Sequence, residues 1–219
     1  MRHCLNIARK DLKTEFRTKQ MLNSMLLFAL LAVVIFSFAF GPFPENVDQL
    51  APGILWVAFT FAGMLGLSRS FASEKENGCL DGLKLCPVDR SDIYVGKAIS
   101  NMILMLIMVM VTVPVFMVLF DYSIPNPLGL MFVIVLGTLG FVFVGTLLSA
   151  LTVNVRAREL LLPVILFPVI LPVIISAVLA TGKVLGGIND IWAEVRILST
   201  YGAIFFIVSL LIFEYVIED

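Results

Sequence analysis

The sequence predicts an all-α integral membrane protein: six transmembrane helices, an N-terminal amphipathic helix on the cytoplasmic surface, a short extramembrane helix in the first cytoplasmic loop, and both termini cytoplasmic. Three observations lead there. Of 219 residues, 60% are hydrophobic and only 14% charged, with a mean hydropathy of +1.03. A soluble domain of this size has no interior large enough for that much apolar surface. The apolar residues gather into runs at about 22–40, 53–72, 94–120, 128–152, 160–180 and 200–217, each close to the length that a ~30 Å hydrocarbon core requires. Thirteen of the fifteen Lys and Arg fall on one side of the alternating loops, with Lys183 and Arg196 on the other. The positive-inside rule puts the basic side in the cytoplasm.

Residues 1–20 are the first unit, ahead of a six-helix domain over 21–219, and carry six Lys and Arg. Leu5, Ala8, Leu12 and Phe16 recur at helical spacing, while Arg9, Lys10, Lys13 and Arg17 lie off that stripe. Such a helix suits the headgroup layer of an anionic leaflet. A solvated basic tail is the alternative. His3, the sole histidine, sits at the chain end and reads as incidental. The basic start runs too long before the first span for a cleavable signal pattern.

The first span leads into GPFPENVDQLAP (41–52), with two acids and no base. The second carries Trp56 near its outer end, where an aromatic belt would hold it, and Arg69 near its inner end, able to snorkel. Pro114 interrupts the third. The fourth carries Gly129, Gly137, Gly140 and Gly145. These are either small residues that permit close helix approach or incidental glycines on a lipid-facing span. The fifth holds Pro163, Pro168 and Pro172. Each proline removes a backbone hydrogen bond, so this helix is expected to kink or unwind locally. Irregular backbone at membrane depth needs protein or a cavity around it, which predicts a span that is internal or at a subunit interface. Residues 181–199 are too polar to span. Ile188, Ile191, Trp192 and Val195 predict a short helix over 183–198 on the outer surface, a candidate for passing motion outward.

One long polar island, 69–97, breaks this pattern and holds five of the fifteen bases. Ser73 and Glu76 have the spacing of a capping box. Cys79, Leu83 and Cys86 fall at i, i+4 and i+7 beside Leu80, giving one apolar face. Glu74, Glu76, Asp81 and Lys84 supply charge. Gly78 and Gly82 weaken the helix by roughly 1 kcal/mol each relative to alanine. Pro87 ends it, and Ser91 or Asp92 caps the next helix. This reads as a short helix outside the membrane that a partner protein pushes or pulls. An ordinary solvated loop is the alternative.

The chemistry of an enzyme is not expected. The chain has no G-x-x-x-x-G-K-[ST], no H-E-x-x-H and no G-x-S-x-G, and Gly96-Lys97 lacks the rest of a phosphate-binding frame. No acid lies at a span centre, where ion-coupled carriers bury ionisable groups. Cys4, Cys79 and Cys86 make an odd, cytoplasm-facing set, so neither a disulfide framework nor a metal site is expected. No catalytic residue, resident cofactor or nucleic-acid partner is expected, and energy must come from another protein.

The loop pattern Glu-x-x-x-Gly, then Leu, Pro and Gly-Lys is here Glu74, Gly78, Leu80, Leu83, Pro87, Gly96 and Lys97. With the amphipathic helix and six spans, it resembles type-2 ABC transporter permeases. PGILW (52–56), SRSFASEKENG (68–78), the L-x-L-x-P run (83–87) and LLPVILFPVILPV (161–173) narrow the resemblance to the cytochrome c maturation protein B family, also called haem exporter B. It covers essentially the whole chain. Cys79, Asp81 and Gly82 depart from it, standing where a Thr or Ala, a Glu and a larger residue are expected.

The resemblance implies a multi-pass protein of the plasma (inner) membrane. The segment with Glu74, Glu76, Gly78, Leu80, Asp81, Leu83, Lys84 and Pro87 would be a coupling helix docked into an ABC ATPase, the A component of the system. It also implies a homodimer of this chain, joined by a haem-handling membrane protein, the C component, and by a small D component. ATP would be bound by the partner. Haem would belong to the wider complex, whose loaded chaperone, protein E, is released at the outer face. Two alternatives stay open: an ABC permease for a lipid, glycan or drug, and a non-transporting scaffold for the haem-handling component.

Overall fold

A computed structural model describes residues 2–41, 47–72, 75, 89–153, 155, 158–188 and 190–216. The described residues form seven helices: α1 (Arg2–Thr18), α2 (Gln20–Phe40), α3 (Val47–Ser70), α4 (Arg90–Leu119), α5 (Pro127–Thr152), α6 (Arg158–Leu185) and α7 (Trp192–Val216). All but α1 are long and apolar enough to cross a membrane. Helix is the form such runs must take, because a single strand in lipid leaves its backbone groups unpaired. α3 is the most enclosed span and α7 the least. α3 packs on α2, α4, α5 and α6, so it runs through the middle of the bundle.

The chain turns from α1 into α2 on one residue, Lys19, whose φ of 55° is left-handed. That conformation is unfavourable for a side chain with a Cβ. The Glu15 carboxylate stabilises the corner by accepting the Leu22 N–H at 2.8 Å, one of the donors a new helix leaves orphaned. α5 starts more conventionally. Asn126 accepts the Gly129 N–H at 2.9 Å, and Pro127 takes the first helical position.

The spans overrun the hydrophobic limits read from the sequence. α3 starts at Val47 rather than at 53 and contains Pro52. The separate surface helix expected over 183–198 is not formed. Thr181 to Leu185 are instead the last turn of α6. The Ile188 N–H reaches the Lys183 carbonyl at 2.8 Å and the Gly187 N–H the Val184 carbonyl at 3.3 Å. Gly187 has φ +73°, so this is a Schellman ending, and glycine supplies the left-handed residue it needs. Trp192 to Leu198 then open α7. Polarity misled here because Lys183 and Glu194 pair at 2.7 Å, which lets both helices carry a charge at their ends.

Trp56 is not in an interfacial belt. It is 1% exposed, and its Nε1–H donates to Thr181 Oγ1 at 2.9 Å. The ring lies against Gly137, where a Cβ would stand 2.2 Å from Trp56 Cη2. A Cβ on Gly145 would likewise meet Leu67 Cδ1 at 2.2 Å. Of the two readings of the α5 glycines, close helix approach is the one that holds at these positions. Polar fastenings complete the α3–α4–α5 contact: Asn101 Nδ2 to Thr146 Oγ1 at 3.0 Å, Ser149 Oγ to the Leu67 carbonyl at 2.6 Å, and Tyr94 OH to the Phe143 carbonyl at 2.9 Å.

α6 runs unbroken through Pro163, Pro168 and Pro172, so the described backbone does not unwind. Leu162, Leu166, Ile170, Val173 and Ala177 face the core. Pro168 and Pro172 are exposed on the opposite face. The span is thus internal along one face only. The Tyr201 hydroxyl donates to the Val169 carbonyl, next to the carbonyl that Pro172 leaves without its helical N–H.

Candidate coupling site at the basic end of the bundle

Glu74, Glu76, Gly78, Leu80, Asp81, Leu83, Lys84 and Pro87, and the proposed Ser73 cap, lie outside the described residues. The structure describes what holds the two ends of that segment. α3 delivers it at Ser70 and Phe71, and α4 receives it at Asp89 and Arg90. Neither Ser91 nor Asp92 caps α4. The cap position is Asp89, which makes no side-chain capping bond. Asp92 has another task, accepting the thiol of Cys4 at 2.8 Å.

That bond belongs to a joint between α1 and α4. Cys4 and Ala8 are buried, and Ile7, Asp11, Leu12 and Glu15 are half-buried. Leu5 and Phe16, from the same expected stripe, are 60% and 51% exposed. Arg9, Lys10, Lys13 and Arg17 are exposed. At 100° per residue the helix therefore has three faces in order: a protein face centred on Cys4, Ala8 and Asp11; an apolar edge of Leu12, Leu5 and Phe16; and a basic face. The apolar edge can enter the acyl region while the bases meet headgroups. α1 comes so near α4 that a Cβ on Gly96 would lie 2.8 Å from the Cys4 carbonyl oxygen and 2.9 Å from Ile7 Cβ.

Lys97, next to that glycine, is 3% exposed. Its ammonium pairs with Asp11 Oδ2 at 3.0 Å, donates to the Ser70 carbonyl at 3.1 Å, and stands 5.1 Å from the centre of the Phe71 ring. A cation suits the carbonyl end of α3, where the helix dipole is negative. Lys75 does the same for α5, donating to the Val153 carbonyl at 3.1 Å. Ser100 also reaches Asp11, at 3.5 Å. Losing one member of a buried pair leaves an uncompensated charge and costs about 3–5 kcal/mol. Beneath Lys97, Phe71, Tyr94 and Phe213 pack together, drawing in the last turns of α7.

Burial pushes the Cys4 thiol up, and the hydrogen bond to Asp92 and its negative charge act in the same direction. The thiol is a donor held in its protonated form, not a nucleophile. Sequence reasoning named Lys97 only as the end of the loop pattern, and missed Asp11 and the Cys4–Asp92 bond. One signal was present: Asp11 is an acid within a basic helix, on the face shared by Cys4, Ile7 and Ala8.

The chain matches the CcmB protein family over residues 2–217. It belongs to the CcmB family. Among similar proteins, Heme exporter protein B of Rhodobacter capsulatus is 32% identical over 166 residues, 76% of each chain. Heme exporter protein B of Paracoccus denitrificans is 28% identical over 186 residues, 85% of each chain. That of Bradyrhizobium diazoefficiens is 28% identical over 192 residues, 88% of this chain and 86% of the relative. The CcmB match takes in α1, all six spans and the segment between α3 and α4.

Proposed function

We propose that this chain is the permease subunit through which a separate ABC ATPase drives release of a haem-loaded chaperone at the outer face. A CcmB-family chain is a multi-pass protein of the bacterial inner membrane and a permease subunit of the haem-export and cytochrome c maturation system. The relatives' name, Heme exporter protein B, supports membership of a complex with other proteins and favours this system over a lipid, glycan or drug cargo. The finer reading makes the ATPase the A component and adds a haem-handling C component and a small D component. It pairs this chain with a second copy and has chaperone E visit from outside. The ATP is bound by the partner, and haem is cargo of the complex.

One observation carries the coupling role. At the basic end, α1, the end of α3 and the start of α4 are fastened to each other around both anchors of the 71–89 segment. The excess of Lys and Arg at that end supports a cytoplasmic orientation. Anchors fastened in this way would pass on a push delivered to the segment between them. His3, the single histidine, is exposed on α1 at the same end, which supports chaperone release over passage of haem through this chain.

Affinity purification of a tagged copy from native membranes tests the reading. A nucleotide-binding partner co-purifies and hydrolyses ATP, and the isolated chain has no turnover. Turnover by the isolated chain overturns the permease role.

A further inference from the structure

We propose that Lys97 is a positioning residue that locks both ends of the 71–89 segment and the interfacial helix into one body, so that motion delivered to the segment reaches α3 and α4 together. The inference rests on the coupling role proposed above. Lys97 is planted two turns into α4. Its Nζ holds Asp11 of α1 at 3.0 Å and the last carbonyl of α3, that of Ser70, at 3.1 Å. One buried atom thus joins three elements, two of which are the segment's anchors. Gly96 admits α1 to the backbone of α4, and its neighbour grips it. The cation also faces Phe71, the first residue after α3, so the exit direction of the segment is set by the same group.

The grip is specific in kind. A lysine carries a compact charge on a flexible stem, and here the stem is enclosed while the head meets a carboxylate, a carbonyl and a ring face. Without it, α1 and α4 keep the Cys4–Asp92 bond and the Gly96 crossing, and α3 keeps its packing on α2, α4, α5 and α6. These contacts do not depend on the ammonium, but without it α3 is no longer tied to α1 at that point. A push on the segment then reaches the ends of α3 and α4 without the tie that makes them move with α1.

The test uses the assembled complex in its native membrane with Lys97→Met, Asp11→Asn and the double variant. The expected result is a split: the ATPase still co-purifies and hydrolyses ATP within two-fold of the parent rate, while mature cytochrome c falls at least ten-fold in each variant. Because the two residues act as a pair, the double variant falls no further than Lys97→Met alone. Asp11→Glu, which keeps the carboxylate, restores maturation. Asp11→Asn lies outside the spans and keeps the residue's shape, so it decides the matter if Lys97→Met fails to accumulate. Normal maturation in either single variant overturns the proposal. So does loss of ATPase binding in step with maturation, because a residue needed merely for folding or docking behaves that way. A parent chain that never holds an ATPase overturns the coupling role itself, and that result is seen before any variant is made.

Discussion

Gly137 lies directly under the ring of Trp56: a Cβ added to the glycine would stand 2.2 Å from Cη2 and 2.9 Å from Cζ2. The indole cannot swing away, because its N–H is held by Thr181 and the residue is fully enclosed. Gly137→Ala forces the ring or α5 to shift, and overpacking of this kind costs about 1–3 kcal/mol. Gly202→Ala is the control, since its Cβ meets nothing within 4 Å, and replacing glycine in a helix gains up to about 1 kcal/mol. Thermal unfolding in detergent should show a lower midpoint for the first variant and an unchanged or higher one for the second. Equal effects would mean that the Trp56 contact does not hold α5.

The bond from Trp56 to Thr181 ties the far end of α3 to the last turn of α6, two residues from Lys183 and its partner Glu194 on α7. Lys97 holds the other end of α3, fourteen residues away in sequence from Trp56 to Ser70, a span of about 21 Å at the helical rise. A double-mutant cycle with Trp56→Phe and Thr181→Val should give a coupling energy of roughly 0.6 kcal/mol, the average for hydrogen bonds between membrane helices, and no more than about 1.7 kcal/mol. Additive losses would show that the indole contributes packing alone.

Cys4 should label slowly with a membrane-permeant maleimide at pH 8 when Cys79→Ser and Cys86→Ser remove the other thiols. Burial and Asp92 both raise the thiol pKa, so little thiolate exists at that pH. Asp92→Asn removes a negative charge that opposes ionisation and should speed labelling several-fold. The sign for stability follows. The folded-state pKa is above the unfolded one, so this contribution to α1 docking is complete below the ordinary thiol range and fades as pH rises through the raised value. Labelling at the rate of a free thiol would contradict the docked position of α1.

The six spans are legible in the sequence because lipid leaves long apolar runs one way to pair their backbone. Their ends are not. Lys183 and Glu194 look like loop residues singly, and only their pairing makes them helix ends. Trp56 near a span end has the address of a belt residue, and its burial depends on Gly137 and Thr181, 81 and 125 residues further along the chain. That α1 is a helix could be read from its period, but the face it turns to the bundle could not. Leu5, Ala8, Leu12 and Phe16 read as one apolar stripe suited to the headgroup layer, whereas Ala8 turns to the bundle with Cys4 and Asp11 because Gly96 and Lys97 stand opposite them. The coupling residues from Glu74 to Pro87 rest on sequence pattern and family membership.

The central claim is that the segment between α3 and α4 is where a separate ATPase takes hold. The most direct measurement is the amount of ATPase recovered with a tagged copy of this chain carrying Leu83→Asp, against the parent. The account predicts loss of the ATPase with membrane insertion intact, because an acid on the one apolar face of the coupling helix would have to be buried unpaired on docking. Full recovery of an active ATPase with Leu83→Asp would contradict it.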